Sequence, residues 1–236
     1  MNGRSNVARH FDGIKAEYGR YGTGLWAAYR RAAETLLRSH LPERPLRVLD
    51  LGGGALVSLP GLLEHPRLSE YVVVDLVDHL QPRPARLRVV RADALEYARS
   101  AETPPFDAAV IFGMLMYLTE ERAAELLSRL RAIVAPGAPL IVHEPNETAR
   151  PRLDAALERP VDVARLARAS GWDVLSTGCY NVPAVRAVCA RVDRVFGPLG
   201  PARCAPAASC AVALERRLGT GLDTLTLLRS PSADAA

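Results

Sequence analysis

The chain of 236 residues is 49% hydrophobic and 24% charged, a composition that excludes a disordered protein and provides enough apolar material for one α/β domain. Its 30 basic and 26 acidic residues give a net charge of +4, and Lys15 is the only lysine. The basic residues are scattered among acids and form no run longer than a pair. This pattern is typical of a solvated surface and disfavours nucleic-acid binding.

No targeting or metal-binding segment is evident in the sequence. The first thirty residues are rich in charge and lack the apolar stretch of a secretory signal, which predicts a cytoplasmic protein. The longest uncharged apolar run, Ala108 to Leu118, is well short of the about 20 residues that cross a bilayer, so no membrane association is expected. The four cysteines lack metal-ligand spacing, and no metal site is predicted.

The first half of the chain alternates helical and strand-like patterns. Apolar residues recur every three to four positions from Thr23 to His40 and predict an amphipathic helix, part of an N-terminal helical lid over residues 1–45. The run Leu46 to Asp50 reads as a strand that ends in a glycine turn, and a helix is expected around Leu59 to Leu68. Further buried strands are predicted at Tyr71–Asp75, Leu87–Val90 and Phe106–Phe112.

The second half continues the alternation. A helix is predicted from Thr119 as N-cap to the stop at Pro136-Gly137, followed by a strand at Pro139–Val142 and a helix at Val161–Ala169. Strand-like runs follow at 172–175 and 211–214, and residues 222–228 fit either a strand or a helix-flanked extension. This order predicts a Rossmann-like α/β fold: a doubly wound, mainly parallel seven-stranded sheet with helices on both faces. The domain spans 46–229, and 230–236 form a flexible tail.

Acids end three successive predicted strands, at Asp50, Asp75 and Asp93. In an open parallel sheet the ligand site lies beyond the carboxyl ends of the strands. Asp50 can hold an ammonium group, Asp75 can accept hydrogen bonds from ribose hydroxyls, and Asp93 can accept one from the amine of adenine. The alternative is that each acid only caps a helix or turn. A dinucleotide site is disfavoured, because a G-x-G-x-x-G pattern that begins at Gly52 would need glycine at Val57.

Several runs resemble the successive motifs of class I S-adenosylmethionine-dependent methyltransferases, over about residues 46 to 178. They are Val48-Leu49-Asp50-Leu51-Gly52-Gly53-Gly54, Val74-Asp75, Arg91-Ala92-Asp93-Ala94, Phe106-Asp107-Ala108-Ala109-Val110 and Leu130 to Leu140. The resemblance implies S-adenosylmethionine as cofactor, with its methionine part at Gly52 and Gly54, its ribose at Asp75 and its adenine at Asp93 and Ala94.

The chain departs from the family pattern in two places. A further glycine is common near position 56, where this chain has Leu56-Val57-Ser58. The turn after the fourth strand, which often carries polar residues, is apolar here, so Phe112 and Met114 are expected to form walls against the adenine and the sulfonium, or else to pack in the core. Tyr18 and Tyr21 of the lid are expected to bind the cofactor carboxylate or a cationic substrate, or to be ordinary surface residues.

Candidates for contact with the substrate follow the later strands. His143, Glu144 and Asn146 come directly after the fifth strand, and His143 is the candidate base, although a structural role is the more common one for a lone histidine. Tyr180, after the sixth strand, is expected to orient a substrate amine or to shield a cation. A sulfonium methyl group is already a strong electrophile, so transfer mainly requires positioning and exclusion of water.

The expected binding partner is a small-molecule acceptor. The protein itself is expected to be a monomer or a homodimer. Arginine-rich, lysine-poor usage is typical of high-GC bacteria. Compact enzymes of such bacteria often modify secondary metabolites, so a secondary metabolite is the expected substrate. The alternatives are a cyclase or lyase of the same fold that attacks the aminobutyrate chain of the cofactor or closes a ring without methyl transfer, a non-enzymatic basic binding protein, and an NAD-dependent dehydrogenase.

Overall fold

The computed structural model describes residues 24–53, 57–78, 84–100, 105–185, 187, 191, 210–215 and 217–232. The α-helices are α1 (Gly24–Arg38), α2 (Ala94–Ser100), α3 (Glu120–Ile133) and α4 (Val163–Ala169). The strands are β1 (Leu46–Leu51), β2 (Leu68–Asp75), β3 (Leu87–Arg91), β4 (Ala108–Phe112), β5 (Pro139–Pro145), β6 (Asp173–Tyr180) and β7 (Asp223–Arg229). Short 3-10 helices lie at Pro60–Glu64, Leu115–Tyr117 and Glu147–Arg152.

The strands form one seven-stranded sheet in the order β3-β2-β1-β4-β5-β7-β6. The neighbouring pairs from β3 to β5 are parallel, and β7 is antiparallel to both β5 and β6. This confirms the predicted Rossmann-like sheet. The strand order reverses between β1 and β4, so the carboxyl ends of β1, β2 and β4 meet at the edge where such sheets bind ligands.

Apolar residues cover both faces of the sheet, as the near-continuous apolar strands require. Helix α1 packs on one face, where its buried Ala33 and Leu37 belong to the same cluster as Val48, Val73, Val110, Ile141 and Leu227. Helices α2, α3 and α4 pack on the other face, over Leu49, Val74, Ile111, Val142 and Leu228. The two faces are called the α1 face and the α3 face below.

The glycine turn is not followed by the α-helix expected at Leu59 to Leu68. Only the 3-10 helix Pro60–Glu64 forms among the described residues there, and β2 already begins at Leu68. Pro66 explains the early stop, because a residue before proline is excluded from the helical region, and His65 is extended with φ −65° and ψ 127°.

The last strand is also placed differently from the prediction at 211–214. Residues 210–215 are helical, with Val212 only 5% exposed and Leu214 51% exposed, which is the one-sided burial of a surface helix. The run 222–228, which the sequence left undecided, belongs to a strand: β7 covers Asp223–Arg229 and lies between β5 and β6. The predicted N-cap is confirmed, since the Thr119 side chain accepts a hydrogen bond from the backbone N–H of Arg122 at the start of α3.

Candidate functional site

The turn after β1 contacts the loop after β4. Gly52 has φ +87°, and its N–H donates to the Val74 carbonyl of β2 at 2.9 Å. A Cβ atom at Gly52 would lie 2.8 Å from Cβ of Met114. Both the positive φ and this close approach require glycine. The turn therefore brings the ends of β1, β2 and β4 together at one edge. The cofactor-binding roles expected for Gly52 and Met114 stay predictions.

Asp75 ends β2 at the same edge and is half-buried. Its carboxylate accepts a hydrogen bond from the Val77 N–H at 2.9 Å, and its carbonyl accepts one from the Ala92 N–H at 2.9 Å. The second bond fixes the start of the loop after β3 beside Asp75. The ribose-binding acid and the adenine-binding segment expected from the sequence are therefore neighbours.

Asp93 caps helix α2. Its Oδ1 accepts hydrogen bonds from the Leu95 N–H at 3.0 Å and the Glu96 N–H at 3.2 Å, and its Oδ2 lies 3.2 Å from the Arg122 guanidinium. Ala94 is the first residue of α2. The Asp93 carboxylate therefore caps a helix, which was the alternative to ligand binding for the three acids.

Asp50 is fully buried beneath the glycine turn. Its oxygens accept hydrogen bonds from the Ser58 N–H at 2.7 Å, the Ser58 hydroxyl at 2.6 Å and the Tyr71 hydroxyl at 2.9 Å. A Cβ atom at Gly53 would lie 2.7 Å from Oδ2 of Asp50. Burial raises the pKa of Asp50 to about 6, although these hydrogen bonds lower it. The carboxylate fixes both ends of the turn.

Arg30 of α1 is a cation near this turn that the sequence reasoning missed. Its charge acts on Asp50 and His143, while burial lowers the pKa of its own guanidinium. It is half-buried, and no hydrogen bond or ion pair joins it to any residue that the structure describes. The sequence signal was present but weak: Arg30 occupies the same helical stripe as the buried Ala33 and Leu37, where an arginine is uncommon.

Glu144, fully buried on β5, fixes the loop after β4. Its Oε1 accepts hydrogen bonds from the N–H groups of Met114 at 2.9 Å and Leu115 at 2.8 Å, and its Oε2 accepts one from Met116 at 3.2 Å. Burial raises the pKa of Glu144 to about 8, and the three N–H groups offset only part of that rise. The carboxylate holds the segment that contacts Gly52.

His143 lies on the α1 face of the sheet, opposite to Glu144. It is 7% exposed, its ring centroid is 5.3 Å from that of Phe112, and its Nε2 lies 3.9 Å from Oδ2 of Asp223. Burial lowers the pKa of His143, while Asp223 opposes that shift. Of the two apolar residues predicted to line the cofactor, Phe112 packs against His143, whereas Met114 contacts the glycine turn.

A buried polar network adjoins His143. The Tyr29 hydroxyl of α1 donates to Glu215 at 2.5 Å, Glu215 also accepts from the Asn181 N–H at 3.1 Å, and the Asn181 amide donates to Asp223 at 2.8 Å. Tyr180, 3% exposed, packs edge-on against Tyr29. The network joins α1 to the ends of β6 and β7, and Tyr180 is part of that packing.

Asn146 lies apart from His143 and Tyr180. It caps the 3-10 helix Glu147–Arg152: its Oδ1 accepts from the Thr148 N–H at 2.9 Å, and its Nδ2 donates to the Gly221 carbonyl at 2.9 Å. It also lines a cavity on the α3 face that neither His143 nor Tyr180 lines. The structure therefore does not bring the three predicted catalytic residues into one pocket.

Three predicted cofactor residues, Gly54, Tyr18 and Tyr21, lie outside the described residues. Across the described ranges no helix is long and apolar enough to span a bilayer. The same part of the chain holds no group of three His, Cys, Asp or Glu side chains arranged for a metal ion.

Similarity to known proteins is found in structure alone. No family model matches the chain, and no curated protein matches its sequence. A Burkholderia thailandensis didemethyltoxoflavin N-methyltransferase with bound S-adenosylhomocysteine is similar, with a TM-score of 0.62 at 18% identity over 97% of this chain and 87% of that one. The Bradyrhizobium japonicum N-methyltransferase NodS, also with S-adenosylhomocysteine, has a TM-score of 0.59 at 13% identity over 88% of each chain.

The [4+2]-cyclase SpnF is a further similar structure, with a TM-score of 0.54 at 17% identity over 86% of this chain and 81% of that one. Together these likenesses show that the chain has the fold of the class I S-adenosylmethionine-dependent methyltransferases.

Proposed function

We propose that this protein binds S-adenosylmethionine and transfers its methyl group to a small-molecule acceptor. The observation that carries the proposal is the edge of the sheet where Gly52, Asp75 and Met114 meet, in a sheet with the strand order of this fold. When bound there, S-adenosylmethionine supplies an electrophilic methyl group. The remaining task of the protein is to orient the two reactants and exclude water.

The ribose and adenine are assigned to the ends of β2 and β3. Asp75 is a half-buried carboxylate at the carboxyl end of its strand, where it is placed to accept hydrogen bonds from the ribose hydroxyls. Asp93 is engaged with α2 and Arg122, so in this proposal it positions Ala94 next to the adenine.

The amino-acid end of the cofactor is assigned to the turn at Gly52 and to Arg30. The glycine turn lets the backbone approach the ligand, and the described residues after it form the 3-10 helix Pro60–Glu64. Arg30 is a half-buried cation whose charge acts on Asp50, and its guanidinium can bind a carboxylate through two hydrogen bonds. Gly54, Tyr18 and Tyr21 remain predicted cofactor residues.

A base is needed at some stage where the acceptor is a hydroxyl or a protonated amine. His143 remains the proposed base, because its lowered pKa keeps it neutral near pH 7 and Asp223 is close enough to stabilise its protonated form. Tyr180 and Asn146 act in this proposal through the elements that they hold in place around the acceptor.

The reaction type is tested by incubating the purified protein with S-adenosylmethionine, alone and with metabolite pools, and identifying the adenosine-containing product. Methyl transfer yields S-adenosylhomocysteine. Methylthioadenosine would instead reveal attack on the aminobutyrate chain. If neither product forms and S-adenosylhomocysteine does not bind in calorimetry at any salt concentration, the proposal fails.

Ring closure without methyl transfer is the second candidate. The likeness to a [4+2]-cyclase supports it, because a protein of this fold can carry out such a reaction. The apolar loop Met114–Leu118 and the burial of His143 are also compatible with a reaction that needs no base. Ring closure predicts that S-adenosylmethionine binds to the protein but is recovered unchanged after the substrate has been converted.

The two halves of the cofactor site can be tested separately with S-adenosylhomocysteine and methylthioadenosine, which lacks the carboxylate. Asp75→Ala should weaken binding of both by about 1–3 kcal/mol, because both carry the ribose. Arg30→Gln should weaken only S-adenosylhomocysteine by a similar amount, because only that ligand has the carboxylate. Calorimetric titration measures both affinities.

The adjacent, exposed Arg31 supplies the matched control, and Arg31→Gln should bind both ligands like the unmodified protein. If Arg30→Gln weakened both ligands equally, the guanidinium would not be the carboxylate partner. Unchanged binding by Asp75→Ala would place the ribose elsewhere.

A further inference from the structure

A cavity lies at the carboxyl edge of the sheet, on the α3 face. It is enclosed by the loop after β4, the segment 146–162 and the start of α4, and it ends against β6 and β7. Its volume is about 600 Å³. Pockets that bind small molecules commonly measure about 300–1,000 Å³, so this one is large enough for a compound of several rings.

The cavity is separate from the proposed cofactor site. None of Gly52, Asp75 or Met114 lines it. The loop after β4 borders both regions: Met114 lies against Gly52, whereas Leu115 and Leu118 of the same loop line the cavity. Hydrogen bonds from the Arg159 N–H to the Met116 carbonyl and from the Val161 N–H to the Pro145 carbonyl hold the segment 146–162 across it.

Most of the inner wall is apolar. Leu115, Ala123, Val161 and Leu166 line it, and each is buried. These side chains come from four different elements of the fold, so none of them can leave the wall without a rearrangement of the core. A ligand in this cavity would therefore be surrounded mainly by hydrocarbon.

The uncharged polar groups of the wall are the Asn146 amide and three threonine hydroxyls. Thr177 of β6 pairs with Thr226 of β7, and Thr224 lies two residues from Thr226 on the same face of the strand. The Thr177 and Thr226 hydroxyls are 3.5 Å apart, and that of Thr224 is 3.4 Å from the Glu144 carbonyl. These are long hydrogen bonds. Thr226 is fully buried, whereas the exposed Thr177 and the half-buried Thr224 can also donate to or accept from a ligand.

Charged groups occur at the rim, where they are mostly paired with one another. Arg165 lies 2.7 Å from Glu120, Arg150 pairs with Glu147, and Glu158 accepts from the Tyr117 hydroxyl at 3.3 Å. Arg159 is exposed at the outside of the rim. A ligand with a net charge would therefore find no buried counter-charge in the described wall, and burying it would be costly.

We propose that this cavity is a second small-molecule site, which takes an uncharged, mainly apolar cyclic compound bearing a hydroxyl, carbonyl or N–H group for the threonine hydroxyls. The proposal does not depend on the cofactor site, because the two share no lining residue among those named above. A ligand there would contact Leu115 and could reach the loop that Glu144 holds.

A matched pair of fluorescent probes tests the site: a neutral phenylnaphthylamine and its anilinonaphthalenesulfonate analogue, which adds only a sulfonate to the same rings. The neutral probe should bind saturably and at least about tenfold tighter than the sulfonate, because the wall lacks a buried cation. Saturating S-adenosylhomocysteine should leave its binding unchanged. Equal binding of both probes, or displacement by S-adenosylhomocysteine, would overturn the proposal.

Two variants locate the bound probe. Ala164→Phe fills the cavity from α4, and Thr177→Phe fills it from the exposed edge strand β6; each should weaken the neutral probe at least about tenfold. Ala132→Phe adds the same ring to an exposed position of α3 outside the cavity and should leave the affinity within about twofold. Thermal unfolding shows which variants fold, and unchanged binding by either folded cavity variant would place the probe elsewhere and overturn the proposal.

Discussion

Two loops at the carboxyl edge of the sheet are each held by a fully buried carboxylate, and the two carboxylates differ in their donors. Asp50 holds the turn after β1 and accepts mainly from the side-chain hydroxyls of Ser58 and Tyr71. Glu144 holds the loop after β4 and accepts only from backbone N–H groups, those of Met114, Leu115 and Met116.

The difference shows how strongly each loop depends on its carboxylate. Hydroxyl donors can rotate toward another acceptor, whereas three consecutive N–H groups in a 3-10 turn cannot turn without changing the backbone. Loss of Glu144 would leave three backbone donors unsatisfied, two of them buried, while loss of the Asp50 charge would leave donors that can be partly satisfied elsewhere. The loop after β4 should therefore be the more dependent of the two.

The largest effect is expected for Glu144→Ala. Three N–H groups, two buried and one partly buried, would lose their acceptor, which should lower the free energy of unfolding by about 3–5 kcal/mol. Denaturant-induced unfolding measures this loss. Glu147→Ala, an exposed glutamate three residues along, should cost less than about 0.5 kcal/mol. A small loss for Glu144→Ala would mean that water replaces the carboxylate, and the contrast between the loops would disappear.

The pH dependence separates the two carboxylates. The pKa of Glu144 is about 8 in the folded protein and 4.5 in the unfolded chain. The pKa of Asp50 is about 6 in the folded protein and 3.8 in the unfolded chain. In these ranges the folded state binds more protons, so stability falls as pH rises. Between pH 6 and 8 the loss comes mainly from Glu144, about 2–3 kcal/mol.

Unfolding of the unmodified protein and of Glu144→Gln, measured across that pH range, provides the comparison. The unmodified protein should lose stability from pH 6 to 8 relative to the variant, which has no proton to release at this position. Parallel stability curves for the two proteins would mean that the pKa of Glu144 is not raised in the folded protein, because the three N–H groups offset the burial of its charge.

A smaller effect is expected for Asp50→Asn, about 1–2 kcal/mol at pH 7. An amide oxygen in place of Oδ2 can still accept from the Ser58 N–H and the Tyr71 hydroxyl, but the amide nitrogen in place of Oδ1 cannot accept from the Ser58 hydroxyl. Part of this loss is offset because a buried charge is removed. Chemical denaturation gives the value, with the exposed Asp173→Asn as reference. A cost greater than that of Glu144→Ala would reverse the order proposed for the two loops.

The sequence predicted where the acids lie relative to the strands better than it predicted what their side chains contact. Asp75 ends β2 as predicted, while Asp50 is the last residue but one of β1 and Asp93 follows the end of β3 by two residues. The sequence could not show that Asp50 and Asp93 point into the protein, because the direction of a side chain depends on partners such as Ser58 and Arg122 that are distant in the chain.

Local patterns determined the strands β1 to β6, the N-cap at Thr119 and the class of fold, because apolar periodicity and capping act over a few residues. Tertiary packing alone decided that 223–229 is the strand between β5 and β6, that Arg30 comes near Asp50, and that Glu144 holds the loop after β4. Each of these joins segments far apart in sequence, and such contacts depend on how the whole sheet is assembled rather than on any short stretch of residues.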